Sequence, residues 1–245
     1  MTEEYIDVKK LDETVSRLGT IKDTVNAEID KMLAASLPAQ PSGRSDVLAV
    51  RKQRFFQTTL CALEQEIEFI IGNLTFLKEC MQRMRSADGM IFMDHHLIST
   101  KRHGIVGLAF VSETLVRTYT EEMGIEAPGK RTKLEKRFTD LGVSAEEAVD
   151  EARSYFREDD FDGLKEQLLK AAEIKDRGVI DFLQSARNSS HREFFWRGGK
   201  VFTISDALTI RVGKDQGPEI LLDDLVEIVE SFSKFVITTV SKLEN

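Results

Sequence analysis

Through most of this chain an apolar residue returns every three or four positions. Between Val8 and Met32 the stripe reads Val8, Leu11, Val15, Leu18, Val25, Ile29 and Met32, with Lys22 in one seam position. That spacing keeps one face of an α-helix apolar and fits neither a strand nor a loop. A wider stripe follows: Phe55, Phe56, Leu60, Leu63, Ile67, Ile70, Ile71, Leu74, Leu77, Cys80, Met81 and Met84. Its breadth suits a helix packed on several neighbours at the centre of a bundle. Only 4 prolines occur in 245 residues, so little interrupts long helices. The fold class this predicts is mainly α: a helical bundle with a long N-terminal helix and, as shown next, a short β-hairpin before the C-terminal helix.

Breaks in the periodicity set the expected boundaries. The first helix covers 4–36 and is weakened at its centre by Gly19. Pro38, Pro41, Gly43 and the neighbouring serines make a loop. The second helix covers 46–85, with Asp88-Gly89 as its stop, and the third covers 98–123, with Gly124 as its C-cap. Gly104 and Gly107 mark a place where a neighbouring helix can come close. Shorter helices fill 131–190; Ser144 and Glu147 have capping-box spacing, and Asp160 is a further cap. Gly178 opens the helix that carries Val179, Ile180, Phe182 and Leu183 toward Arg187. Then the period changes. Val201 to Ile204 and Leu208 to Val212 are β-rich, with Ser205-Asp206-Ala207 as one candidate turn, and a last helix spans 221–243. Two regions result: an N-terminal helical arm and linker at 1–45, and a bundle domain at 46–245. The arm's stripe packs either on the next helix or on another copy of the chain as a coiled-coil adaptor.

Composition narrows the function classes. Lys and Arg number 34 against 42 Asp and Glu, a net charge of −8, which argues against a whole surface built for nucleic acid but leaves room for a local basic site. Cys61 and Cys80 sit about 28 Å apart on one straight helix, beyond disulfide reach. They read as buried, reduced thiols of an intracellular protein. The acidic start Met1-Thr2-Glu3-Glu4 lacks the pattern of a secretory leader, and no apolar run is long enough to span a membrane. The expected location is the cytoplasm, with no membrane contact. No phosphate-binding loop, dinucleotide fingerprint, nucleophile elbow or paired-carboxylate motif occurs, so no cofactor is expected.

The residues with the most chemistry are Arg187-Asn188-Ser189-Ser190-His191. They join a permanent cation to the side chain that exchanges protons near neutral pH, one helical turn apart if the helix runs on through His191. An arginine, a histidine and small polar groups on one face can hold a phosphate and move a proton. The same residues also make an ordinary helix end, where a cation near the last carbonyls is favourable. From Arg187 to Lys200 the tally is 4 basic against 1 acidic, and Arg192, Arg197 and Lys200 extend a phosphate track.

Arg187-Asn188 followed closely by His191, set in a helix that leads to a hairpin and a terminal helix, resembles the HEPN (higher eukaryotes and prokaryotes nucleotide-binding) family. In element order the resemblance covers roughly residues 46–245; at residue level it covers a few positions. It implies a helical bundle that cleaves RNA without metal, with Arg187, Asn188 and His191 catalytic and Arg192, Arg197 and Lys200 on phosphates. It also implies a homodimer that brings two motifs together, an RNA substrate, and a role in stress response, toxin-antitoxin pairing or defence with a protein partner or antitoxin. The spacer here is three residues, shorter than the family's usual one. A non-catalytic helical module that binds RNA, a nucleotide or a protein is the alternative.

Other clusters read more plainly. Asp94, His95, His96 and His103 match no strong metal spacing and read as a polar loop and helix start, so no metal site is expected. Lys130 to Arg137 carries 5 basic residues against 1 acidic, and 144–160 carries 7 acidic against 2 basic; both read as solvated faces or as mates for one another. Phe194, Phe195 and Trp196 read as core or interface aromatics.

Overall fold

The computed structural model describes residues 7–34, 44–83, 87–123, 129–149, 161–190, 199–213 and 218–244. The expected architecture is present: a mainly helical chain with a two-stranded antiparallel hairpin before the last helix. The helices are α1 (Val8–Ala34), α2 (Arg44–Arg83), α3 (Ala87–Glu122), α4 (Gly129–Asp140), α5 (described over 145–149), α6 (Phe161–Ala171), α7 (Gly178–Ser190) and α8 (Leu222–Glu244). The strands β1 (Lys200–Thr203) and β2 (Thr209–Val212) lie between α7 and α8.

Local chemistry fixes several ends. Asp7 Oδ1 accepts from Lys10 N at 2.7 Å and caps α1. Ser144 caps the next helix at the expected spacing: its Oγ accepts from Glu147 N at 3.3 Å and donates to the Glu147 carboxylate at 2.7 Å. Gly142, at φ 87°, takes the left-handed turn after α4 that side chains resist. The third helix starts earlier than its sequence pattern suggests. Asp88-Gly89, expected to stop the second helix, lies in the first turn of α3. Both residue types are tolerated there, since an aspartate suits the positive end of a helix and a glycine is least costly at a terminus.

The long helices pack as successive antiparallel neighbours. Asp12 with Lys78, Lys22 with Glu64, and Met32 with Gln53 run in opposite order along α1 and α2. The stripe of α1 is therefore used within the chain: Leu11, Leu18, Val25 and Met32 are buried in the same core as the rest, against α2 and α8. Along α2 and α3, Glu66 lies against Gly107, Ile70 against Gly104, and Phe76 against His96. The close approach expected at the two glycines is real: a Cβ on Gly104 would sit 2.9 Å from Ile70 Cδ1, and one on Gly107 would meet the Glu66 carboxyl. Among the described residues, Phe56, Phe182 and Phe232 are the largest fully buried side chains, contributed by α2, α7 and α8. Cys61 and Cys80, expected buried, are half-buried and unpaired.

The expected hairpin is present, and its two strands pair antiparallel. Thr203 faces Thr209, and Phe202 faces Ile210. In the turn, Ser205 Oγ accepts from Ala207 N at 3.1 Å and from Leu208 N at 3.2 Å. Phe202 packs edge-on against Phe182 of α7, with ring centroids 5.5 Å apart. No described helix is long and apolar enough to cross a membrane.

Candidate functional site

Helix α7 has two faces. Val179, Ile180, Phe182, Leu183 and Ala186 are buried in the core. Gln184, Arg187 and Asn188, spaced as one stripe, turn toward α3 and the start of α6. There they line a cleft of about 190 Å³ with Ser112 and Glu113 of α3 and with Phe161 and Asp162 of α6.

Arg187 is held rather than loose. Its Nε lies 2.7 Å from Glu113 Oε2, and its guanidinium carbon is 5.9 Å from the Phe110 ring centroid. The other oxygen of Glu113 accepts from Arg117 Nε at 2.8 Å. Arg117 in turn lies over the Phe161 ring at 5.9 Å. One carboxylate, 14% exposed, thus orients two guanidiniums, while the Arg187 side chain stays 40% exposed. Charge-assisted bonds of this kind are strong and directional.

Behind the cleft lies a second polar network. Lys165 is buried, yet its Nζ donates to Asp181 Oδ1 at 2.7 Å and to Gln184 Oε1 at 2.6 Å, and lies 3.4 Å from Asp162 Oδ1. Gln184 Nε2 donates to Asp162 Oδ1 at 2.7 Å, so both ends of that amide are committed. Arg177 donates to Asp181 Oδ2 at 2.8 Å and pairs with Glu166; the bond to Asp181 first, then that to Glu166, raises the arginine's pKa above its ordinary value. A buried amine with this many acceptors satisfies the demand that burial places on a charge.

The expected site residues separate into three groups. Arg187 and Asn188 share the cleft, with Asn188 exposed. Lys200 is not among the described residues that line it; its Nζ donates to Ser185 Oγ at 3.0 Å and lies 6.0 Å from the Phe202 ring centroid. His191, Arg192 and Arg197 lie outside the described residues, as do Phe194, Phe195 and Trp196. Glu113, Arg117 and Lys165 were not singled out from the sequence. A lysine set among Leu164, Leu168 and Leu169 on the buried face of α6 was the available signal for the last of them.

Among the described residues no group of three metal-ligating side chains is present. His96 packs against the rings of Phe76 and Phe92, and the ring of His103 hydrogen-bonds within its own helix to Ser99. No family model, curated protein or solved structure matches the chain. Fold and site together define a helical bundle in which a braced arginine, Arg187, lines a small polar cleft.

Proposed function

We propose that this protein is a HEPN-like, metal-independent endoribonuclease, acting as a cytoplasmic homodimer in stress response or defence. The observation that carries this reading is that Arg187 and Asn188 line one polar cleft, with the guanidinium braced by Glu113 yet still 40% exposed. The chemistry needs little more than a base, an acid and a cation. His191 takes the proton of a ribose 2′-hydroxyl, and the freed oxygen bonds to the adjacent phosphorus. The bond from phosphorus to the 5′-oxygen breaks, and that oxygen receives a proton from the partner subunit's His191. A cyclic phosphate and a free 5′-hydroxyl result. Arg187 stabilises the charge that builds on the phosphate oxygens, and Asn188 orients them. Arg192, Arg197 and Lys200 extend the contact along the strand.

Incubation of the purified protein with mixed RNA in EDTA tests this, beside Arg187→Ala and His191→Ala. Each variant should lose at least about a hundredfold in cleavage rate. Equal cleavage by all three proteins would remove the site from the reaction. A second reading, a non-catalytic module for RNA, a nucleotide or a protein, is favoured by one observation: Glu113 already neutralises Arg187. Absence of cleavage by any of the proteins, with RNA still bound by the unaltered chain, would select it.

A further inference from the structure

Among the described residues that line the cleft, one buried polar atom has no partner. Ser112 is 2% exposed, and its Oγ has no hydrogen-bond partner. A serine inside a helix ordinarily turns its hydroxyl to the carbonyl four residues back, as Thr120 does to Val116 in the same helix at 2.8 Å. Ser112 instead lines the cleft with its hydroxyl unsatisfied, an arrangement that costs stability unless a ligand completes it.

The charges around the cleft say what kind of ligand fits. Glu113 is balanced by Arg117 and Arg187, and Asp162 lies beside Lys165. A negatively charged group deep in the cleft would lie beside the carboxylates of Glu113 and Asp162, whereas one at the rim meets Arg187. A neutral, planar, polar ring meets no such penalty: Phe161 offers an apolar wall, while Ser112 and Asn188 offer donors and acceptors at its edge. At about 190 Å³ the cleft is far too small for a nucleic-acid helix.

We infer that this cleft is a nucleobase pocket, in which Ser112 reads the edge of one unpaired base while Arg187 at the rim holds that nucleotide's phosphate. This inference rests on Arg187 as the phosphate holder. It assigns Ser112 as the residue that sets base preference at the nucleotide beside the cut. Phe110, 55% exposed and lying under the Arg187 guanidinium, extends the platform outward.

Sequencing of the ends produced from a random-sequence RNA pool tests it, with the full chain and Ser112→Ala compared. The unaltered chain should favour one base beside its cuts by about tenfold or more. Ser112→Ala should lose most of that bias while melting no lower than the unaltered chain, since removing an unpartnered buried hydroxyl does not cost stability. An unbiased wild type, or a bias untouched by Ser112→Ala, overturns the inference even when cleavage is robust. Should no RNA be cut at all, the ribonuclease reading fails separately. Binding of short fluorescent homopolymers of each base then decides the pocket. A preference for one base that Ser112→Ala abolishes supports it, and equal binding of every base, or of none, overturns it.

Discussion

Helix α3 is packed in two unlike ways. Along one side it meets α2 through a close apolar seam, where Gly104 and Gly107 leave room for Ile70 and Glu66. Along another it meets α6 and α7 through charges: Glu113 to Arg187 across the cleft, with Lys165, Asp162 and Gln184 bonded behind it. The seam is held by area removed from water, which is indifferent to exact orientation. The cleft is held by directional bonds that fix where each side chain points but add less net stability, because each charge had to leave water. Structure that is costly to build and precise in geometry is what a binding site needs.

The sharpest way to break this contrast is to cut into the seam. Ile70→Ala should cost about 4 kcal/mol, in the upper half of the usual range, because Gly104 has no side chain that can move into the space. Urea unfolding monitored by circular dichroism measures it. A loss near that of an exposed substitution would mean the seam is not a principal source of stability.

Next in size is Lys165→Met, which keeps the chain length and removes the charge. It leaves Gln184 Oε1 without its donor, while Asp181 retains Arg177. A loss of about 2 kcal/mol is expected. Unchanged stability would show that the methylene stem of Lys165, and not its amine, is what the fold uses.

These two regions were not equally legible in the sequence. The seam was: apolar spacing is local, and it gave the long helices and their core residues to within a few positions. Gly104 and Gly107 announced a close approach because a residue without a side chain inside a helix needs a reason. The hairpin was legible through Val201, Phe202, Ile204, Ile210 and Val212 with a serine turn. Asp88-Gly89 misled because the same dipeptide that ends one helix can also begin the next. Of the cleft, Arg187 and Asn188 were visible, but Glu113 was not. An acid followed by Arg117 one turn later is an ordinary surface pair, and nothing in that spacing says that a distant arginine shares its carboxylate. Nor does periodicity reveal that Ser112 is left without a partner.

Glu66 is the one acid that crosses the contrast, and it gives the smallest and most diagnostic effect. It sits in the seam rather than the cleft, packed at Gly107, and its Oε1 is buried with no hydrogen-bond partner. Burial pushes its pKa from an ordinary 4.5 up to about 7. Below the lower value the carboxyl is protonated whether the chain is folded or not, and the site is neutral in its effect. Between the two values the folded chain holds a proton that the unfolded chain has released, so stability falls as pH rises through that window and stays lower above it. Because the side chain is only half-buried, solvent screening reduces the effect to about 1 kcal/mol. Glu66→Gln, which keeps the shape and cannot ionise, should therefore stabilise the protein by that amount at pH 8 and leave it unchanged at pH 4. Paired thermal melts of the two proteins across this range measure the difference directly. A stabilisation that is the same at both ends would mean that packing of the amide, and not the charge of the acid, is responsible. A destabilisation at pH 8 would mean that the ionised carboxylate has a favourable partner, and the seam would then be less different from the cleft than its apolar residues suggest.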